Sequence, residues 1–78
     1  MREKTPALVI TFASTTQAMA AEALCHERGL AGRMIPVPRE ITAGCGLAWK
    51  APPEEESRIP AELTSAGIAW SEARVILL

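Results

Sequence analysis

Two prolines two residues apart, followed closely by a cysteine set between glycines, constrain this chain more than any other stretch. The run is Ile35-Pro36-Val37-Pro38-Arg39-Glu40-Ile41-Thr42-Ala43-Gly44-Cys45-Gly46. Each proline fixes its own φ and pushes the residue before it, here Ile35 and Val37, towards extended backbone. The segment therefore leaves a strand in a stiff direction. At its far end Gly44 and Gly46 permit positive φ on either side of Cys45, so no bulky sequence neighbour shields the sulfur. Backbone N–H groups in such a bend can also converge on an anion, and a thiolate would be one.

The flanking segments follow from period and punctuation. Pro6 to Phe12 is rich in β-branched and aromatic residues and reads as a largely buried strand. Ser14 with Gln17 forms an S-x-x-Q capping box that opens a helix running to about Arg28, with Gly29 as its C-terminal cap. Ala18, Ala21, Leu24 and Cys25 share one face of that helix, with Glu22, His26 and Glu27 on the other and Met19 at the boundary. Gly32 to Val37 is a second strand, and Pro36 assigns it to a sheet edge. Leu47 to Lys50 is a short third strand. Glu54, Glu55 and Glu56 place negative charge in the first turn of a second helix, Pro53 to Ala66, which Pro60 kinks or interrupts. Ile68 to Leu78 closes as an apolar strand.

Strand, helix, strand, strand, helix, strand is the order of a two-layer α+β sandwich, the ferredoxin-like βαββαβ arrangement. It has a four-stranded antiparallel sheet with both helices on one face. The other face then has no internal cover, and Trp49, Trp70 and the last strand are candidates for it or for an edge. The alternative is that both tryptophans fill the core. An uncovered face suits a homodimer or a protein partner.

At 78 residues this is a single domain, residues 1–78, with an ordered core from about residue 6 and frayed residues before it. Eight basic and nine acidic residues are spread along the chain without a basic face, which argues against nucleic acid. The apolar run Ala7 to Ile10 is too short for a signal peptide, and nothing approaches a membrane span, so a cytoplasmic location is expected. Two cysteines make no disulfide framework, and with one histidine they fall short of a tetrahedral zinc site; no metal or resident cofactor is expected.

Cys45 is the main candidate for chemistry. A sulfur-carrying cysteine must be reachable and available as thiolate, and Arg39 six residues upstream is a candidate to favour that charge. The competing reading makes Gly-Cys-Gly a tight turn around a small buried side chain, and the residues alone do not decide between them. Cys25 reads as core. His26 points away from Cys25, since neighbours on a helix face different ways, and as a base for Cys45 its helix turns it to solvent. Arg39 and Glu40 have a direction set by the prolines, or form an ordinary solvated pair. Ser14 to Thr16 are preferred as a plain cap over an anion site.

Phe12-Ala13-Ser14-Thr15, Ala18-Met19-x-Ala21-Glu22, Gly29-Leu30, Ile35 to Ile41 and Cys45-Gly46-Leu47-Ala48 together resemble a family of small bacterial proteins. Long a domain of unknown function, it is described as selenium/sulfur (Se/S) carrier protein-like. The resemblance spans residues 8 to 75 and is most specific in the I-P-x-P-R-E-I…C-G run. It implies that Cys45 is the carrier cysteine, with Arg39, Pro38 and Gly46 as its framing motif; on the residues themselves Pro36 joins Pro38 in the frame, and Arg39, Gly44 and Gly46 are the candidates to meet the cargo. Ala43-Gly44 departs from the serine-like residues expected before the cysteine.

The resemblance further implies a carrier more than a stand-alone enzyme. Its partners would be a sulfur or selenium donor such as a cysteine desulfurase, and an acceptor enzyme. The rival reading is a small binding or regulatory module that uses the open sheet face, with Cys45 structural. A stand-alone thiol reductase fits least, because Cys25 and Cys45 form no C-x-x-C pair.

Overall fold

In a computed structural model that describes residues 3–41 and 44–78, the chain order is β1 (Pro6–Thr11), α1 (Thr15–Arg28), β2 (Arg33–Pro36), β3 (Leu47–Ala51), α2 (Ile59–Ser65) and β4 (Glu72–Leu77). The strands form one antiparallel sheet in the order β2-β3-β1-β4. This is the ferredoxin-like α+β arrangement: each β-α-β crossover skips one strand position, filled by β3 between β2 and β1 and by β1 between β3 and β4. The expected fraying of residues 1 to 5 falls partly on Met1 and Arg2, outside the described residues.

Alternation along the strands sorts side chains between two faces. Leu8 and Ile10 of β1 and Phe12 just past its end, with Trp49 and Ala51 of β3, point to the helices. They form the main core with Ala18, Ala21 and Cys25 of α1 and Ile59 and Leu63 of α2. Trp49 is fully buried there, and its indole N–H donates to Ala31 O at 3.1 Å, which satisfies the polar end of a large apolar ring. Trp70 packs partly buried against the same cluster. Of the two placements open in the sequence, the tryptophans thus take the core.

The second sheet face is less bare than expected. Ile41 folds back from the β2–β3 loop onto Val9 and Ala48, and all three are buried. Ile35, Val37, Ile76 and Leu78 pack around them, partly exposed. A single loop side chain supplies this cover, and no periodic pattern advertises such a residue.

Local rules account for most boundaries. Ser14 caps α1 in extended conformation and its hydroxyl accepts from the Gln17 N–H at 3.3 Å. The reciprocal half of the capping box has a different partner: the Gln17 side-chain oxygen accepts from Ala69 N–H at 3.2 Å, which ties the α2–β4 loop to the start of α1. At the other end Leu30 N–H returns to Cys25 O at 2.8 Å around Gly29 and closes the helix.

The second helix is shorter than the sequence suggested. A 3₁₀ turn, Pro53–Glu55, comes first, and α2 starts only at Ile59 with Pro60 in its first turn, where no N–H is missed. The apolar stretch from Ile68 likewise becomes strand only at Glu72, because Ile68 N–H is held by Leu63 O and the chain must first cross from α2 to the sheet edge.

Candidate functional site

Cys45 sits at the end of the β2–β3 hairpin loop, and main-chain bonds on three sides hold that loop. Val37 N–H donates to Gly46 O at 2.9 Å and closes its base. Ile41 N–H donates to Pro38 O at 3.0 Å, so Pro38-Arg39-Glu40-Ile41 is a β-turn. Cys45 N–H donates to Phe12 O at 3.1 Å, which extends the β3 side of the sheet past its last regular pair. Pro36 pairs with Leu47 on an edge strand, where its missing N–H costs no ladder bond.

The flanking glycines do different work. Gly44 has φ +54°, and a Cβ there would run into the Phe12 carbonyl, the same group that accepts from Cys45 N–H. Only glycine lets the loop press this closely on the end of β1. Gly46 has φ +85° with open space around it, so backbone conformation alone selects it.

The result is a half-buried thiol. One side of Cys45 packs on the helix-side core, and among the described residues its sulfur's one polar contact is long, 3.9 Å to Leu47 O. The Cys45 N–H is spent on Phe12 O, so the expected convergence of backbone donors on the sulfur does not include its own amide. Phe12 leads within two residues to the Ser14 cap, and the first turn of α1 carries no acidic side chain.

The remaining candidates are placed as follows. Arg39 and Glu40 are the exposed corner residues of the β-turn. Among the described residues neither makes a hydrogen bond or ion pair. Ile41, next to them, packs on the second sheet face, whereas Cys45 packs on the helix face, so the loop straddles the end of the sheet. Ala43, where the sequence departs from the family pattern, lies outside the described residues.

His26 is exposed and lies edge-on to Trp49 at 6.1 Å. It stands twelve residues along α1 from Ser14, about 18 Å at the usual helical rise. That removes it from the Cys45 end of the molecule and from any role as base there. Among the described residues no group of three or more His, Cys, Asp or Glu could hold a metal ion.

What the sequence did not signal is the Phe12 carbonyl, which fixes the Cys45 backbone. A main-chain acceptor has no residue signature of its own. Its trace is the obligatory glycine at position 44, which the sequence does show but which a simple turn also explains.

Cys25 contrasts with Cys45. It is fully buried between α1 and the sheet, and burial raises its pKa from 9.0 to about 11. The folded state thus holds the proton more tightly than the unfolded chain does. This stabilisation is fully present below pH 9.0 and is lost as pH rises through about 11. We expect it to amount to on the order of 2–3 kcal/mol. Urea unfolding of the parent and Cys25→Ala at pH 8 and pH 11, in reductant, measures it: the parent should lose more stability over that interval, and parallel losses would contradict the burial account.

Comparison with known proteins adds a family. A family model described as "Putative Se/S carrier protein-like" matches residues 7–73. No curated protein and no solved structure matches the chain.

Proposed function

Because this chain belongs to the Se/S carrier protein-like family, we propose that it carries sulfur or selenium on Cys45 between a donor and an acceptor enzyme. The Cys45 thiolate attacks the outer sulfur of a persulfide on the donor, of the kind a cysteine desulfurase forms. The donor S–S bond breaks, the donor cysteine leaves as thiolate, and Cys45 becomes the persulfide. The sulfane atom changes hands without any external oxidant or reductant. Selenium at the same oxidation level follows the same path. Transfer to the acceptor is the same exchange in reverse sense, with the acceptor's nucleophile attacking and the Cys45 thiolate leaving.

The observation that carries this reading is the half-buried thiol on a loop pinned by main-chain bonds. A carrier has to present its sulfur to two different active sites in one geometry. It needs no base of its own when donor and acceptor supply the chemistry. Arg39, at the corner of the β-turn that begins at Pro38, is the cation we assign to meeting the partner or the charged cargo. Gly44 and Gly46 keep the approach to the sulfur clear. Among the described residues no helix is long and apolar enough to cross a membrane; we place the protein in the reducing cytoplasm, the compartment in which such a thiol stays free.

Cyanide tests the proposal, since it removes sulfane sulfur from a persulfide as thiocyanate and returns the thiolate. After loading by a desulfurase and removal of the donor, the parent and Cys25→Ser should each release close to one thiocyanate per chain. Cys45→Ser should release at least about a hundredfold less. Equal release from Cys45→Ser would sink the assignment. The rival reading as a binding module needs a wide bare sheet face, and Ile41 already occupies part of it.

A further inference from the structure

The two edges of the sheet are built differently. β2 has four residues, begins with Arg33 and ends with Pro36, so it is short, charged and lacks one donor. β4 has six residues and contains neither proline nor glycine. Val75 and Leu77, which share its helix-side face with Ala73, are 38% and 56% exposed. Its two charged residues, Glu72 and Arg74, lie on the opposite face from Val75 and Leu77, so among the described residues no charge of β4 shields these two side chains.

Its outward groups follow from the register. Thr5 and Leu78 exchange both hydrogen bonds, at 2.9 and 3.0 Å. Bonded and non-bonded pairs alternate in an antiparallel ladder. With Ala7 opposite Ile76 and Val9 opposite Arg74, the N–H and C=O groups of Ile76 and Arg74 point to β1. Those of Ala73, Val75 and Leu77 point away from the molecule.

We propose that this edge pairs antiparallel with β4 of a second copy, with Val75 on the two-fold axis, to give a continuous eight-stranded sheet. In that register Val75 meets the partner's Val75, and Ala73 and Leu77 meet the partner's Leu77 and the partner's Ala73. The outward groups of all three residues are then satisfied, and the exposed side chains cover one another. Arg74 lies opposite the partner's Ile76, so no like charges face each other, while Arg74 keeps its ion pair with Glu72 at 3.1 Å.

A second copy fits because the edge is complementary to itself in this one symmetric register. The other nearby symmetric register, centred on Ala73, would set Arg74 against the partner's Glu72 but leave Val75 and Leu77 without apolar cover. Cys45 lies beyond β1 on the β3 side, about 10 Å from the edge at the usual strand spacing, so pairing leaves it free for loading. The assembly is therefore independent of the carrier chemistry.

Sedimentation over a concentration series tests it. The parent and Cys45→Ser should both dimerise at high micromolar concentration and dissociate on dilution. Val75→Pro deletes an outward N–H that makes no bond to β1, and it should weaken the dimer at least about tenfold. Leu77→Lys should do the same through desolvation of the charge, and it carries the test alone if the proline variant fails to fold by circular dichroism. Met19→Lys replaces an apolar residue that is 52% exposed on α1 and should leave the dimer unchanged. A monomer at every concentration overturns the proposal, as does a dimer that folded Leu77→Lys leaves intact or that Met19→Lys dissolves.

Discussion

Under native conditions a small alkylating reagent is expected to consume the Cys45 thiol at least about a thousandfold faster than that of Cys25. Cys45 is half-buried on the surface, whereas Cys25 is fully buried under α1. A reagent reaches Cys25 only through opening of the core. A domain with roughly 5 kcal/mol of stability is open less than about one part in a thousand of the time. While the core is closed, burial also holds the Cys25 thiol at a pKa of about 11, so little thiolate forms there near neutrality and the closed state offers no competing route. Mass spectra taken over time with iodoacetamide should show one modification early and the second only on addition of denaturant. Comparable rates for the two, or a protected Cys45, would mean that the loop does not present its sulfur.

The second large effect is expected at Gly44. Gly44→Ala must either force a Cβ into the Phe12 carbonyl or lift the loop and break the Cys45 N–H bond to it. A side chain at φ +54° adds its own cost. We expect a loss of roughly 2–3 kcal/mol, which for a domain of this size lowers the melting temperature by about 10–20 °C. Gly46→Ala is the matched comparison: it also has positive φ but meets nothing nearby, so only the conformational term of about 1 kcal/mol applies. Thermal melts of the two variants decide the matter. Equal losses would show that the close approach to Phe12 contributes nothing.

Both predictions depend on features that were unequally legible in the sequence. Cys25 was placed in the core by its helical spacing with Ala18 and Ala21, because the period of an amphipathic helix fixes which face meets the sheet. Pro36 on an edge strand and the break before Pro60 follow from a missing N–H, which is a property of one residue and needs no tertiary knowledge. The order of elements led to the sandwich by the same local logic.

Tertiary contacts were the part that local rules could not reach. Gln17 looked like half of a capping box, yet its side chain crosses to Ala69, and only the position of the α2–β4 loop determines that choice. Ile41 lies in a loop with no period to assign it a face, so its cover of Val9 and Ala48 was missed. The tryptophans were ambiguous because a large apolar ring suits a core and an uncovered face alike. At the site itself, Cys45 and its glycines stood out, but the acceptor that pins them is the Phe12 backbone carbonyl, just past the end of β1 and far from them in sequence.

The most direct measurement is the intact mass of the native protein after incubation with a cysteine desulfurase and either cysteine or selenocysteine, followed by peptide mapping. The account predicts one added sulfur or selenium per chain, located on the peptide that contains Cys45, in the parent and in Cys25→Ser. An adduct on Cys25, or an adduct that persists in Cys45→Ser, would contradict it.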